Sequence, residues 1–252
     1  MAPAQTTTGP PDFVGVGTQR SGTTWWFETL LGHPQIRGPK TGAKEQHYFD
    51  RFCRRPLTDA DIRRYHRKFP REPGQIAGEW TPRYMFDFWT PRVIARVAPE
   101  AKLLVMFRDP IERFRSGVPH RLSRTPDARL EAATADGIER GRYATQLERL
   151  HRYFPPERVL VLQYEQCRAD PVANWRRTLR FLEVDESEEP PDFDRARGST
   201  MAPKKVELWD DFNDGLRATF EPEVERLRAL VPDLDVSLWP NFSYLAAVGA
   251  TS

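Results

Sequence analysis

The sequence predicts a single α/β domain in which helices flank a parallel sheet. Three apolar runs have the length and continuity of parallel strands that are covered on both faces: 13–16, 103–107 and 159–162. A stretch with helical spacing follows each run, and these stretches are 24–31, 111–121 and 171–182. This alternation is typical of right-handed βαβ units, which bind ligands at the carboxyl ends of their strands. The 252 residues suffice for one such domain with a buried core, but not for two.

The segment after the first strand has the composition of a phosphate-binding loop. Gly17 and Gly22 have the P-loop spacing G-x-x-x-x-G, in which the backbone approaches an anion and N–H groups at a helix start face it. Thr23 and Thr24 follow, where a nucleotide triphosphatase has Lys and then Ser or Thr. The lysine is therefore missing, and Arg20 places a cation inside the loop instead. We predict a P-loop-type parallel sheet with an altered phosphate loop.

Two phosphate elements resemble those of the sulfotransferase family. Residues 19–25 (QRSGTTW) are similar to its 5′-phosphosulfate loop, usually written Lys-[Ser/Thr]-Gly-Thr-Thr, with Arg20 in the lysine position. The strand 103–107 runs into Arg108-Asp109-Pro110, with Ser116 eight residues after the arginine, which resembles the 3′-phosphate element. Segments 44–50, 78–84 and 141–165 resemble the branch that includes the heparan sulfate sulfotransferases and many bacterial relatives. The resemblance extends from about residue 13 to about residue 242.

The resemblance implies 3′-phosphoadenosine 5′-phosphosulfate as the donor, adenosine 3′,5′-bisphosphate as its product, and no metal. Arg20 and the loop would hold the 5′-phosphosulfate, while Arg108 and Ser116 would hold the 3′-phosphate, which suits an arginine fork. Alternatively, Arg108 forms only a surface salt bridge with Asp109 or Glu112, and Trp25 is only a core residue. The predicted donor-binding residues are Gln19, Arg20, Ser21, Gly22, Thr23, Thr24, Trp25, Arg108, Ser116, Tyr143, Arg197, Lys204 and Lys205.

Two candidates for a general base lie in segment 44–50. Sulfuryl transfer requires the acceptor hydroxyl to lose its proton, and a positioned base accepts it. On a strand, Glu45 and His47 would share one face, with Lys44 on the other. The resemblance to the heparan-type branch implies Glu45 as the base, and the cytosolic phenol and steroid branch implies His47 as the alternative. Arg20 would neutralise the charge that grows on the bridging oxygen. Alternatively, Glu45 merely pairs with Lys44, and His47 packs at a strand end.

One departure from the family pattern concerns the acceptor. Glycan-sulfating relatives commonly have a lysine after the glutamate of a Glu-x-[Thr/Ser]-Pro segment, and here Trp80 follows Glu79. The loss of a cation and the gain of an indole favour a smaller acceptor with an apolar or aromatic part. We therefore predict that Trp80, Glu79 and Tyr84 contact the acceptor, which is a small molecule, a glycolipid or a carbohydrate.

Composition limits which partners and which cellular location the sequence predicts. A net charge of +2 gives no overall indication of nucleic acid or membrane binding, and the longest apolar runs are only strand-sized, which predicts no transmembrane segment. Residues 1–11 are expected to be a disordered lead-in rather than a signal peptide, 12–243 the domain, and 244–252 a tail. Two cysteines define no disulfide scaffold, which favours the cytoplasm. The abundance of arginine and proline suggests a bacterial source, and the oligomeric state stays open.

Two other function classes compete with sulfuryl transfer. A P-loop kinase would need the lysine that is missing at Thr23, together with a carboxylate at a strand end for Mg²⁺. Asp109 follows a strand but lies in the Arg-Asp-Pro turn. A non-catalytic nucleotide-binding module would bind the same donor and transfer nothing. The candidate bases Glu45 and His47 favour an enzyme over such a module.

Overall fold

The centre of the fold is a five-stranded parallel sheet. The computed structural model describes residues 6–125, 127–194 and 205–248. The strand order is β3-β5-β2-β6-β7, with bounds Ile36–Arg37, Ile76–Trp80, Phe13–Gly17, Lys102–Phe107 and Val159–Gln163. The short strands β1 and β4 form a separate antiparallel pair, at Thr7–Thr8 and Pro70–Arg71. The α/β fold with a P-loop-type parallel sheet, predicted from the apolar runs, is confirmed.

Helices cover both faces of this sheet. Helices α1 and α8 pack on one face, where the core includes Leu104 and Met106 of β6. The next side chains along the same strand, Leu103 and Val105, point to the opposite face and a larger core. The helices α1 to α10 have the bounds Thr23–Leu31, Asp59–His66, Thr90–Val97, Pro110–Arg124, Leu130–Glu139, Tyr143–His151, Tyr164–Ala169, Pro171–Leu182, Asp210–Leu230 and Leu245–Val248.

The three predicted strands and the helices that follow them occur within a few residues of their predicted bounds. The start of α8 has the predicted cap, because Asp170 accepts a hydrogen bond from the backbone N–H of Ala173 at 2.9 Å. Strand β5 was not predicted, although it lies next to β2 in the sheet. Its sequence IAGEW interrupts the apolar run with a glycine and a glutamate, and both of these residues are buried. A Cβ at Gly78 would lie 2.3 Å from the carbonyl oxygen of Phe13, so the close strand contact requires glycine there.

The two chain ends contain more structure than their composition indicates. Strand β1 lies inside the predicted lead-in, and α10 lies inside the predicted tail. Arg71 connects the first segment to the domain, because its guanidinium donates to the carbonyl of Pro10 at 3.0 Å and pairs with Asp12 at 3.2 Å. The domain bounds 12–243 stay a prediction. Within the described ranges, no helix combines the length and apolarity that a bilayer span requires.

The contact between Gly15 and Trp80 generates a stability prediction. A Cβ at Gly15 would lie 2.1 Å from the indole of Trp80, which is fully buried. We expect Gly15→Ala to lower the free energy of unfolding by about 1–3 kcal/mol, since the added methyl group overpacks the core and forces neighbouring side chains to shift. Gly215 is the control, because it is exposed in a helix with nothing within 4 Å of an added Cβ. Gly215→Ala should raise the free energy of unfolding by roughly 0.5–1 kcal/mol. Urea unfolding measures both, and wild-type stability of Gly15→Ala would contradict the prediction.

Candidate active site

The loop between β2 and α1 forms the floor of the candidate site. The backbone N–H of Thr18 donates to the carbonyl of Met106 at 3.0 Å, which fixes the loop to β6. Arg20 and Gly22 have left-handed backbones, with φ of 69° and 88°. Glycine is required at position 22 for two reasons. Its φ is positive, and an added Cβ would lie 2.5 Å from the ring of Tyr164. The turn brings the N-terminus of α1 to the cavity, where backbone N–H groups suit an anion.

The two phosphate elements predicted from distant parts of the sequence meet in this structure. The Nε of Arg20 donates to the hydroxyl of Ser116 at 3.1 Å, and Arg108 donates to the carbonyl of Arg20 at 3.3 Å. Arg108 also lies over the ring of Tyr164, 4.9 Å from its centre. Burial lowers the pKa of Arg20, and the charge of Arg108 lowers it further. Two guanidinium groups are therefore held close together, an arrangement that an anion would stabilise.

The alternative prediction, that Arg108 forms only a salt bridge with Asp109 or Glu112, accounts for one of its contacts. Its guanidinium lies 3.5 Å from the carboxylate of Glu112, one helical turn later. Glu112 also pairs with Arg115 at 3.2 Å and contacts the ammonium of Lys205. One carboxylate thus faces three cations, and it neutralises Arg108 only in part.

A cavity of about 900 Å³ opens above the loop. Eleven of the predicted site residues line it: Gln19, Arg20, Gly22, Thr23, Thr24, Trp25, Glu45, His47, Arg108, Ser116 and Lys205. Trp25 is also a core residue, since it is buried and its indole N–H donates to the carbonyl of Phe193 at 3.0 Å. Its two interpretations therefore do not exclude each other. The predicted cations Arg197 and Lys204 lie outside the described residues.

Two predicted donor contacts lie behind the loop rather than in the cavity. Ser21 is fully buried, and its hydroxyl is 2.7 Å from that of Thr18. Tyr143 is buried as well, and its ring stacks on Phe107 with the centres 4.5 Å apart. Burial raises the pKa of Tyr143 to about 12, so its hydroxyl stays neutral. These two side chains support the loop from the side opposite the cavity. They do not line the space that a donor would occupy, so the prediction that they contact the donor is not supported.

The three residues that were predicted to contact the acceptor are also buried, so they do not face the cavity. Glu79, Trp80 and Tyr84 have no exposed surface. The indole N–H of Trp80 donates to the carbonyl of Gly17 at 3.1 Å, so the ring points inward against β2. An indole directed into the core gives no reason to expect an apolar acceptor. The sequence did not reveal this, because it does not show which way a side chain at a strand end turns.

Residues 44–49 form a loop rather than a strand, and Asp50 begins a short 3-10 helix, so the face-sharing that a strand would give Glu45 and His47 does not apply. Side chains bind most of its backbone, and strand β5 contributes one bond at its end, from the N–H of Trp80 to the carbonyl of Lys44 at 3.2 Å. The N–H of Gln46 donates to Thr81 at 2.9 Å and to Glu79 at 3.1 Å, and the N–H of Tyr48 donates to the hydroxyl of Tyr84 at 2.9 Å. The buried residues that were predicted to contact the acceptor therefore shape the loop that presents the candidate base.

Glu45 and His47 come together although the strand is absent. The Nε2 of His47 lies 3.1 Å from Glu45, and its Nδ1 lies 3.0 Å from Asp50. Hydrogen bonds to Asp50 and then to Glu45 raise the pKa of His47 to about 10. Burial opposes ionisation of Glu45, but His47 and Lys44 outweigh it and lower the pKa of Glu45 to about 2. At neutral pH, His47 is therefore an imidazolium and Glu45 a carboxylate, which favours Glu45 as the proton acceptor.

A row of basic side chains on α4 extends the cavity, and it was missed from the sequence. Arg113, His120, Arg121 and Arg124 line the cavity together with Ser116. Arg113, Ser116, His120 and Arg124 follow one another at three and four residues, and Arg121 is adjacent to His120. This spacing places them on one helical face, which is the signal that could have revealed them. Basic residues from other elements line the same cavity: Arg83, Arg140 and Arg168. Asp136 lines the cavity too and pairs with Arg121 and Arg140, while Arg83 pairs with Asp87, so basic side chains outnumber acidic ones but are partly neutralised.

The fold and this cavity define an α/β protein with a candidate anion site at the carboxyl ends of its strands. The family model described as a sulfotransferase domain matches residues 10–206. The chain belongs to the sulfotransferase family. This finding confirms the predicted family and enzyme class, and it favours them over a P-loop kinase.

Curated relatives place the chain near the predicted branch. Heparan sulfate glucosamine 3-O-sulfotransferase 3B1 of Mus musculus is 32% identical over 186 residues, which cover 68% of this chain and 46% of that protein. Heparan sulfate glucosamine 3-O-sulfotransferase 6 of Homo sapiens is 32% identical over 185 residues, covering 68% and 52%. The chain thus spans about half the length of the curated relatives that it matches.

Solved structures agree with the fold. The sulfotransferase from Alicyclobacillus acidocaldarius has a TM-score of 0.70 and 26% identity, covering 91% of this chain and 98% of that one. Mouse sulfotransferase SULT7A1, solved in complex with PAP, has a TM-score of 0.55 at 15% identity, with 85% of each chain covered. At that identity, the second likeness shows the fold alone.

The arrangement of Glu45, His47 and Asp50 generates a titration prediction. In wild-type protein, the ring protons of His47 should titrate in NMR near pH 10 rather than near 6.5, because two carboxylates stabilise the imidazolium. Asp50→Asn and Glu45→Gln should each lower this midpoint, with the larger effect from Asp50→Asn. Asp59→Asn, at an exposed carboxylate near the start of α2, is the control and should leave it unchanged. A wild-type midpoint near 6.5 would show that the carboxylates do not hold His47 in solution.

Proposed function

We propose that this protein transfers a sulfuryl group from 3′-phosphoadenosine 5′-phosphosulfate to a hydroxyl of a carbohydrate or small-molecule acceptor. The main support is the contact between Arg20 and Ser116, which joins the two predicted phosphate elements at one cavity. Glu45 lines the same cavity as an ionised carboxylate. A nucleotide with anions at both ends and a hydroxyl acceptor would need these two features together.

The residues present fit such a donor. The α1 N-terminus, Thr23 and Thr24 suit the 5′ end, while Arg108 and Ser116 suit the 3′-phosphate. When bound, the donor supplies the sulfuryl group on a phosphosulfate linkage. Arg20 contacts both Ser116 and Arg108 and would neutralise negative charge on the bridging oxygen without reorganising.

Glu45 would accept the proton of the acceptor hydroxyl. Its carboxylate is already ionised and held in position by Lys44 at 3.0 Å and by His47 at 3.1 Å. His47 is charged, so it orients Glu45 rather than taking the proton itself. Of the two predicted bases, this proposal therefore chooses Glu45, and it gives His47 the role of orienting Glu45.

The walls of the cavity suggest the class of acceptor. Arg83, Arg121, Arg124 and His120 lie beyond the donor elements in the same cavity. The three arginines favour an acceptor with an acidic group near its hydroxyl, since cations at the rim attract and orient anions. Burial, and then the charges of Arg20 and Arg124, lower the pKa of His120, so its ring adds no positive charge at neutral pH. This proposal replaces the apolar acceptor that Trp80 suggested. The cytoplasmic location and the bacterial source stay predictions.

The donor assignment predicts a difference between two nucleotides. Wild-type protein should bind adenosine 3′,5′-bisphosphate much more tightly than 5′-AMP in calorimetry, and Arg108→Ala should remove about 2–3 kcal/mol of that difference. Arg115→Ala is the control, because Arg115 also pairs with Glu112 but is directed to the carbonyl of Val206. Equal affinity of wild-type protein for the two nucleotides would contradict the assignment.

The base assignment predicts the effect of Glu45→Gln. This change should lower turnover of an aliphatic alcohol acceptor roughly 10²–10⁴-fold, the usual effect of losing a general base. The affinity for adenosine 3′,5′-bisphosphate should hardly change. A mass-spectrometric assay follows the gain of one sulfuryl group per acceptor, and wild-type protein assayed in parallel sets the reference rate. Wild-type turnover by the variant would refute Glu45 as the base, and a wild-type protein that binds but never transfers would be a non-catalytic module.

A further inference from the structure

Two lysines of the sulfotransferase pattern are absent from this site. Arg20 stands at the lysine position of the loop, and Trp80 stands where glycan-sulfating relatives commonly have another lysine. The indole of Trp80 turns into the core and contributes no charge to the cavity. Arg20 replaces the first cation, but the residue at position 80 does not replace the second.

An ammonium group reaches this region from a neighbouring segment. The backbone N–H of Trp80 donates to the carbonyl of Lys44 at 3.2 Å, so the two residues lie side by side at the end of β5. The Nζ of Lys44 donates to the hydroxyl of Thr23 at 3.1 Å and lies 3.0 Å from Glu45. Thr23 is the position at which a nucleotide triphosphatase has its P-loop lysine.

We propose that Lys44 supplies the cation that is missing at position 80, donates to an anion bound at the phosphate loop, and positions the general base. This inference rests on the proposed function. One ammonium fixes the distance between Thr23, at the donor end, and Glu45, at the acceptor end. An ammonium has three N–H donors, and Thr23 and Glu45 are its two partners within the described parts of the chain. The third donor can meet an anion bound at the loop.

Burial and charge support this role. The side chain of Lys44 is only 14% exposed, unlike an ordinary surface lysine. Burial lowers the pKa of Lys44, Glu45 and then Glu28 raise it in part, and Arg20 lowers it again. The ammonium is thus poorly solvated and lies near a second cation. Negative charge at the loop would stabilise both cations, and most strongly in the transition state, where that charge grows.

A simpler interpretation is that Lys44 only pairs with Glu45 and keeps segment 44–50 folded. Lys68 provides the matched control, because its Nζ donates to the side chain of Gln46 in the same loop at 2.9 Å. Lys68 has no contact with Thr23 or Glu45 among those that the structure shows for the described residues. If loop stability alone matters, the two lysines should behave alike.

The experiment compares Lys44→Met, Lys44→Arg and Lys68→Met with wild-type protein. We expect Lys44→Met to lower kcat about 10²-fold, the typical effect of losing one preorganised donor at a developing charge. Its affinity for adenosine 3′,5′-bisphosphate, which lacks the sulfuryl group, should change by less than about threefold, well below that effect on kcat. Lys44→Arg should recover part of the rate, and Lys68→Met should resemble wild-type protein.

The pH profile tests the contact of Lys44 with Glu45, because a loss of loop stability alone would not move it. Lys44 helps to lower the pKa of Glu45, so its removal should move the acid limb of kcat/KM to higher pH. An unchanged kcat and acid limb in Lys44→Met would overturn the inference, as would an equal loss in Lys68→Met. If Lys44→Met fails to fold, Lys44→Gln takes its place with the same expectations. A wild-type protein that neither binds the bisphosphate nor transfers sulfuryl would instead refute the proposed function.

Discussion

The Glu79 carboxylate is fully buried, and four donors converge on its two oxygens. Tyr65 and Tyr84 donate to one oxygen at 2.5 and 3.3 Å, while Thr81 and the N–H of Gln46 donate to the other at 2.5 and 3.1 Å. Burial raises the pKa of Glu79, and the hydrogen bonds oppose that rise. A buried acid is tolerated only when its oxygens are satisfied in this way. The site depends on this arrangement, because it fixes segment 44–50 against the end of β5.

The same strand end connects the loop to the phosphate-binding element. Trp80 follows Glu79 directly, packs over Gly15 of β2, and donates to the carbonyl of Gly17, where the phosphate loop begins. Its backbone N–H holds the carbonyl of Lys44. A few consecutive residues of β5 therefore determine where the candidate base lies relative to the anion site. Rigid support of this kind is what a reaction between two bound molecules requires, since small displacements cost much of the rate.

Sequence reasoning identified the residues that face the cavity better than those that support them. The glycine spacing and the Arg-Asp-Pro turn depend on local backbone geometry, so they predicted the loop and α4 correctly. The roles of Glu79 and Tyr84 depend on contacts between segments far apart in the chain, which no local pattern shows. Strand β5 was missed for a related reason, because its buried glutamate interrupts the apolar pattern that indicates a strand.

The charges that suit the site for an anion also weaken the free protein. Burial lowers the pKa values of Arg20, Lys44 and Arg113, which means that each cation is less stable here than in water. Glu45 and Glu112 neutralise only part of this charge, since each faces more than one cation. An anion that binds the folded state alone therefore adds to the stability of that state. Polar groups fixed in advance need no reorganisation when negative charge develops, so the same unfavourable arrangement serves catalysis. In this protein, the stability of the free site and its affinity for anions are thus opposed through the same side chains.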